Sequence, residues 1–89
     1  MIHAWPNPFH VDKGLEDPLK VSCIPDGGEV DFYTLSGELV RKVAPIDQLV
    51  HWDGRNAQGA PCSSGIYYFV AQGQGKTLQL GKLLLLNNP

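Results

Sequence analysis

The sequence lacks the features that mark membrane-spanning and nucleic-acid-binding proteins. Its apolar runs, of which Leu83–Leu86 is one, are far shorter than the roughly 20 residues that a helix needs to cross a bilayer. Seven Lys or Arg stand against nine Asp or Glu, and the basic residues are scattered, so no basic stripe can follow a phosphate backbone. We therefore expect neither a membrane-spanning helix nor a nucleic-acid partner.

Cysteine is also scarce, with Cys23 and Cys62 as the two residues of this type. Neither a second cysteine pair nor a histidine pair accompanies them, which excludes the common zinc motifs. Two interpretations remain open. The cysteines are either two buried free thiols or a disulfide between the sheets of a sandwich, which would add a few kcal/mol by restricting the unfolded chain.

Groupings of side chains typical of enzymes are missing. The segment Cys62–Gly65 lacks the first glycine of the G-x-S-x-G nucleophile motif. A Ser-His-Asp triad would have to assemble from His51, Asp53 and Ser64, but these positions are better explained as strand-edge and loop groups. We expect no catalytic activity and no cofactor.

Glycine and proline are abundant, at 10 and 7 of 89 residues, and such frequent turn formers favour short strands over long helices. Alternating apolar and polar residues between the turns predict strands at Ile2–Trp5, Leu19–Ile24, Glu29–Leu35, Leu39–Val43, Leu49–Trp52, Gly65–Gln72 and Leu78–Leu86. The short connections favour antiparallel pairing. We predict one all-β domain over residues 1–89, an immunoglobulin-like antiparallel β-sandwich of about seven strands, with a small barrel as the alternative.

The large aromatic side chains supply the candidate core, with Phe32, Trp52, Tyr67 and Phe69 as its predicted anchors. Tyr67 lies near the start of the sixth predicted strand. At this position a sandwich tyrosine can bond through its hydroxyl to a loop backbone, and an ordinary half-buried aromatic residue fits equally well.

Three other aromatic residues, Trp5, Tyr33 and Tyr68, are candidates for an exposed sugar-binding surface. Tyr33 shares its strand face with Glu29 and Asp31, which favours exposure to solvent. Single exposed aromatic residues are also normal on protein surfaces. Polysaccharide therefore stays open as a ligand class.

The segment Trp52–Phe69 joins a strand that ends in tryptophan to an aromatic strand through a glycine-rich loop. The oxygen-bearing side chains of Asp53 and Asn56 have two interpretations. They are weak candidates for binding a hard cation such as calcium, or they accept hydrogen bonds from their own loop backbone in Asx-turns. The second interpretation is favoured because a calcium site needs six or more oxygens.

The last predicted strand ends in a segment that is apolar on both faces: Lys82, Leu83, Leu84, Leu85 and Leu86. Gly81 before it is a candidate for a β-bulge that shifts the alternation. The segment is either a strand buried between the core and a loop, or an interaction edge that docks on the parent domain or pairs with a partner strand.

Several segments carry a resemblance that covers nearly the whole chain. Trp5–Phe9 reads Trp-Pro-Asn-Pro-Phe, Phe32–Val40 is a strand-turn-strand unit, and Trp52–Tyr67 runs from Trp-Asp-Gly-Arg-Asn to Ser-Gly-Ile-Tyr. With the lysine before an apolar ending, they resemble the immunoglobulin-like domain of FlgD-type flagellar hook-capping proteins. They also resemble the related carboxy-terminal domains of secreted bacterial proteins, including type IX secretion sorting domains.

This resemblance implies a non-catalytic carboxy-terminal module of a longer exported bacterial protein, located outside the cytoplasm in secreted form or at the cell surface. The implied role is sorting, surface attachment or assembly, and the implied partner is either a domain of the parent protein or the secretion and assembly machinery. The alternatives are a carbohydrate-binding accessory module of a secreted enzyme and a hook-capping-like assembly domain.

Overall fold

The computed structural model describes residues 1–88 and contains eight β-strands in that range. Their bounds are β1 Ala4–Trp5, β2 Phe9–His10, β3 Leu19–Val21, β4 Glu29–Thr34, β5 Leu39–Val43, β6 Val50–Trp52, β7 Gly65–Gly73 and β8 Lys76–Leu86. One 3-10 turn, Val11–Lys13, follows β2. A strand overlaps each of the seven predicted segments, some with shorter bounds, but the described residues contain eight strands. The sequence analysis missed β2, because it is two residues long and follows two prolines.

The strands form two sheets that pack on each other as a sandwich. The three-stranded sheet has the order β1-β3-β6, and the five-stranded sheet has the order β2-β8-β7-β4-β5. The expectation of purely antiparallel pairing is wrong at one place, since β2 runs parallel to β8, with Phe9 opposite Leu85 and His10 opposite Leu86. The strand-turn-strand unit noted at Phe32–Val40 is an antiparallel pair of β4 with β5 in the structure.

Asn7 extends the parallel pairing of β2 with a side chain in place of backbone. Its Oδ1 accepts a hydrogen bond from the Leu84 backbone N–H at 3.0 Å, and its Nδ2 donates to the Lys82 carbonyl at 3.4 Å. Those two groups flank Leu83, and the register of β2 places Leu83 opposite Asn7. In a parallel ladder one residue bonds to both neighbours of its partner. The amide of Asn7 therefore makes ladder bonds beside Pro8, which has no backbone N–H to give.

The core lies between the sheets and is built around stacked aromatic rings. The ring centroids of Phe32 and Trp52 are 4.1 Å apart with planes 17° from parallel, and Phe9 packs on Trp52 at 6.3 Å. Phe32, Trp52, Tyr67 and Phe69 are all buried, which confirms the four predicted anchors. Phe9 is a fifth buried aromatic residue, positioned by the short strand that the sequence analysis missed.

Gly81 makes room for one of these anchors. It lies opposite Phe69 in the pairing of β7 with β8, and a Cβ added to it would come within 2.2 Å of the Phe69 ring. The shift of register between these strands lies between Ala71 and Gln72. The predicted bulge at Gly81 is therefore wrong, and the glycine is there because a large ring approaches its backbone.

Candidate functional site

The loop between β6 and β7 is held together by its own polar groups. Trp52 Nε1 donates to the Arg55 carbonyl at 2.9 Å, and Arg55 Nη1 donates to the Gly59 carbonyl at 2.8 Å. Gly54 has a φ of 84°, a left-handed conformation that favours glycine, and a Cβ there would lie 2.9 Å from the Phe9 ring. The loop is thus anchored to the core at its tryptophan end.

Asp53 and Asn56 both bond to the backbone of this loop. Asp53 Oδ1 accepts from the Arg55 N–H at 3.0 Å and lies 3.8 Å from Arg41 Nη1. Asn56 Oδ1 accepts from the N–H groups of Gln58 and Ala60, each at 3.0 Å. The Asx-turn interpretation is confirmed by these bonds. Within residues 1–88, the structure brings together no group of three or more His, Cys, Asp or Glu side chains that would hold a metal ion.

The hydroxyl of Tyr67 fixes the other end of the loop. Its Oη donates to the Ser63 carbonyl at 2.9 Å, four residues upstream. Burial raises the pKa of the Tyr67 hydroxyl, so the proton that this bond needs stays in place. The interpretation in which Tyr67 bonds back to a loop backbone is therefore confirmed. This loop joins the two sheets, and an aromatic side chain bonds to its backbone at each end, Trp52 at one and Tyr67 at the other.

The three residues considered for a catalytic triad lie in different places. His51 and Asp53 line a cleft of about 270 Å³, whereas Ser64 lines a separate groove of about 450 Å³. Ser64 Oγ accepts a hydrogen bond from the Asn87 backbone N–H at 2.8 Å. The fold does not bring this serine to the histidine and the aspartate.

The two cysteines are free thiols in the structure, which contradicts the disulfide interpretation. Cys23 is exposed and is followed by Ile24, whose N–H donates to the Gln48 carbonyl before β6. Cys62 is buried and its N–H donates to the Gly54 carbonyl after β6. The cysteines thus lie at opposite ends of β6, beyond the Cα separation of about 4.4 to 6.8 Å that a disulfide spans. The expectation of two buried thiols holds for Cys62 alone, and burial raises the pKa of its thiol.

The three candidate sugar-binding aromatic residues do not share one face. Trp5 lies in β1 of the three-stranded sheet, where its ring stacks on His3 at 5.4 Å. Tyr33 and Tyr68 are direct partners across β4 and β7 of the other sheet. Both are half-buried on the face that points away from the core. A platform of all three rings is therefore ruled out, and a pair of tyrosines remains.

The apolar closing segment divides between the two faces of β8. Leu83 and Leu85 are buried in the core, whereas Lys82 and Leu84 face outward. Leu86 is half-buried and pairs with His10. The side edge of this segment is occupied by the amide of Asn7 and by β2. The segment is thus not an open edge for strand pairing, and its outward side chains are what remain available for an interaction.

These outward side chains belong to a larger apolar surface, which we call the outer face of the five-stranded sheet. Its apolar and aromatic members are Tyr33, Leu39, Ile66, Tyr68, Val70, Leu80 and Leu84. Leu80 is 63% exposed, Leu39 49%, Ile66 38% and Leu84 37%. Lys82 stands opposite Tyr68, and Lys42 stands opposite Asp31. Adjacent exposed apolar side chains with charged neighbours are typical of a surface that meets another protein.

Asp31 lies in the middle of the outer face and is 2% exposed, although it points away from the core. Its Oδ2 accepts a hydrogen bond from Gln72 Nε2 at 2.7 Å, and its Oδ1 is buried without a partner among the described residues. Burial, together with the hydrogen bond and charge of Glu29, raises the pKa of Asp31 to about 6, although Lys42 and Tyr33 oppose this shift. The alternation pattern placed Asp31 on this face, but nothing in the sequence indicated that it would be covered.

The comparisons with known proteins include a solved structure of similar fold. No protein-family model and no curated protein matches the chain. Among solved structures, the chain is similar to part of PorZ, an essential bacterial surface component of the type-IX secretion system of Porphyromonas gingivalis. The superposition has a TM-score of 0.76 at 21% identity, and it covers 96% of this chain but 11% of that chain. The match supports an all-β domain related in fold to a part of a type IX secretion component.

Proposed function

We propose that the chain is a non-catalytic module of a longer exported bacterial protein, and that it acts in sorting, surface attachment or assembly at the cell surface. The observation that carries this proposal is the fold shared with about a tenth of PorZ. The matched region is a small part of a much longer chain, as expected for a module appended to other domains. In residues 1–88 there is no helix with the length and apolar character to cross a membrane.

We further propose that the sandwich is immunoglobulin-like, as the resemblance to FlgD-type and sorting domains implies. Two observations support this finer assignment. The chain passes repeatedly from one sheet to the other. As a result, β3 and β6 lie in one sheet and β4 and β7 lie in the other. Tyr67, at the start of β7, bonds to a carbonyl upstream in the way of the tyrosine corner known from such domains.

The outer face of the five-stranded sheet is the proposed docking surface, and the machinery of secretion and assembly is the proposed partner. Leu80, Leu84 and Ile66 contribute apolar area there, and Lys82 contributes charge. The loop between β6 and β7 is a poorer candidate because Asp53 Oδ1 and Asn56 Oδ1 already accept hydrogen bonds from backbone N–H groups within it. Of the predicted interaction segment, Lys82 and Leu84 are the residues that lie exposed on this surface.

A reporter assay tests the role in export. A secreted reporter enzyme carrying the full 89-residue chain at its carboxy terminus is expressed in a bacterium that has a type IX secretion system. We expect reporter activity on the surface of intact cells, and no surface activity when the secretion system is deleted or when the reporter lacks the chain. Equal surface activity with and without the chain would remove the proposal.

Polysaccharide binding is the second candidate function, and the adjacent Tyr33 and Tyr68 are the observation in its favour. Stacking of tyrosine rings on sugar rings would require both side chains. Pull-down with insoluble cellulose, chitin and peptidoglycan tests this function directly. Retention that disappears on replacing both tyrosines with alanine would support it, and no retention of the wild-type chain would exclude it for these polymers.

A further inference from the structure

The most unusual group on this molecule is the carboxyl of Asp31, which is buried although it lies on the sheet face that points away from the core. Asp31 is 2% exposed on the outer face, a position where a charged side chain would ordinarily be hydrated. An ionised carboxylate that loses its water needs strong partners. The one side-chain hydrogen bond to Asp31 from a donor group comes from the neutral amide of Gln72. Its Oδ1 has no partner among residues 1–88.

Charged neighbours do not supply the missing partner. Lys42, opposite Asp31 on β5, places its Nζ 3.7 Å from Glu29 Oε2 and so pairs with that carboxylate. On β4 itself, Glu29 and Tyr33 flank Asp31, and on β7 the facing residues are Val70 and Gln72. The next residue across the sheet, on β8, is Leu80.

We propose that Asp31 keeps its proton when the chain is folded, so that the outer face of the five-stranded sheet is a pH-sensitive surface. The acceptor that we assign to this proton is Glu29, two positions earlier on the same strand face, whose ionised form is favoured by the nearby Lys42. The proton gives the buried carboxyl a donor role that an ionised one lacks. On deprotonation, two carboxylates on neighbouring positions of one strand face repel each other.

The shifts of the two carboxyl pKa values agree in direction with this arrangement. Burial and Glu29 raise the pKa of Asp31, whereas the hydrogen bond from Asp31 and the charge of Lys42 lower the pKa of Glu29. Between about pH 4 and pH 6 the folded chain therefore holds a proton that the unfolded chain has released. Acidification from pH 7 to pH 5 stabilises the fold, and further acidification reverses this gain when Glu29 becomes protonated.

Thermal unfolding of the 89-residue chain between pH 4 and pH 7.5 tests the proposal. We expect the midpoint of the wild-type chain to rise by about 5 °C between pH 7 and pH 5. Asp31→Asn keeps the hydrogen-bonding shape without the charge, so it should melt higher than the wild type at pH 7 and lose the rise toward pH 5. Asp26→Asn, in an exposed turn, is the matched control and should keep the wild-type profile.

A site-specific measurement keeps the test decisive if a variant does not fold. A carbon-13 NMR titration of the wild-type side-chain carboxyls follows each group directly. We expect the Asp31 resonance to move with a midpoint near 6 and to respond to the Glu29→Gln substitution. A midpoint for Asp31 below about 4.5, or an Asp31→Asn chain with the wild-type rise between pH 7 and pH 5, would overturn the proposal. Neither readout depends on export or on a docking partner.

Discussion

The loop between β6 and β7 and the outer face of the five-stranded sheet are opposites. The loop is rich in polar side chains, yet Asp53 Oδ1 and Asn56 Oδ1 accept hydrogen bonds from nearby backbone N–H groups. The outer face is largely apolar, yet it leaves Leu80 exposed and one carboxyl oxygen of Asp31 unpaired within residues 1–88. The comparison teaches that the polar groups of the loop stabilise the fold. The exposed apolar side chains and the unpaired carboxyl oxygen lie instead on the outer face, whose sequence has the ordinary alternation of a β-strand.

The largest expected effect comes from removing the residue that joins the loop to the core. Trp52→Ala deletes a ring stacked on Phe32 at 4.1 Å and the donor to the Arg55 carbonyl. We expect a loss of about 3 to 5 kcal/mol in the free energy of unfolding, measured by urea titration. Trp5→Ala, on the half-buried edge strand β1, is the control with a smaller loss. A loss below about 1 kcal/mol for Trp52→Ala would refute the architectural role of the loop.

Two neighbouring leucines of β8 belong to different regions, one to the core and one to the outer face. Leu83 is buried and Leu84 is 37% exposed on the opposite side of β8. We expect Leu83→Ala to cost about 2 to 5 kcal/mol and Leu84→Ala to cost less than about 1 kcal/mol in the same urea titration. Similar losses for the two variants would contradict the division of this segment between core and surface.

The polar bonds of the loop are tested by Asn56→Ala. The substitution leaves the N–H groups of Gln58 and Ala60 without their acceptor, and we expect a loss of about 1 to 3 kcal/mol in unfolding free energy. Asn88→Ala, at an exposed position near the end of the chain, is the matched control.

The thermal midpoint of the wild-type chain should be the same in excess chelator and in excess calcium. A drop in chelator would restore the calcium interpretation.

A smaller loss than that of Asn56→Ala is expected on removal of the Tyr67 hydroxyl. Tyr67→Phe removes the bond to the Ser63 carbonyl and keeps the ring, so we expect a loss of about 1 kcal/mol. Tyr68→Phe removes a hydroxyl from the adjacent residue on the outer face and should leave the unfolding free energy unchanged within error. Equal losses in the two variants would mean that the bond to Ser63 adds no stability.

Much of the fold could be predicted from the sequence because strands of period two carry their own signal. Phe32 and Tyr33 were assigned to opposite faces by alternation alone, and the structure agrees. The parallel strand β2 could not be predicted in this way. It has two residues, and its pairing with β8 depends on contacts between the two ends of the chain, such as that of Asn7 with Leu84.

The candidate site was harder to predict because exposure is a property of the whole sheet. The sequence analysis selected Leu83, Leu84 and Leu85 together as an interaction segment. In the structure Leu83 and Leu85 are buried, whereas Leu84 is exposed. Leu80, the most exposed apolar residue of the outer face, was not selected, since a single leucine in an alternating strand carries no mark of function. Asp31 pairs with Lys42 of β5 and with Val70 of β7, which are separated from it in the sequence.

Surface display of a reporter carrying outer-face variants of the chain tests the central claim most directly. Leu80→Ser together with Leu84→Ser makes this surface polar without touching the core, and Gln58→Ser with Ala60→Ser alters exposed positions of the loop. In a bacterium with a type IX secretion system, we predict that the outer-face variant loses surface reporter activity, while the loop variant keeps it and both chains melt near the wild-type temperature. Full surface activity of the outer-face variant would contradict the assignment of function to this face.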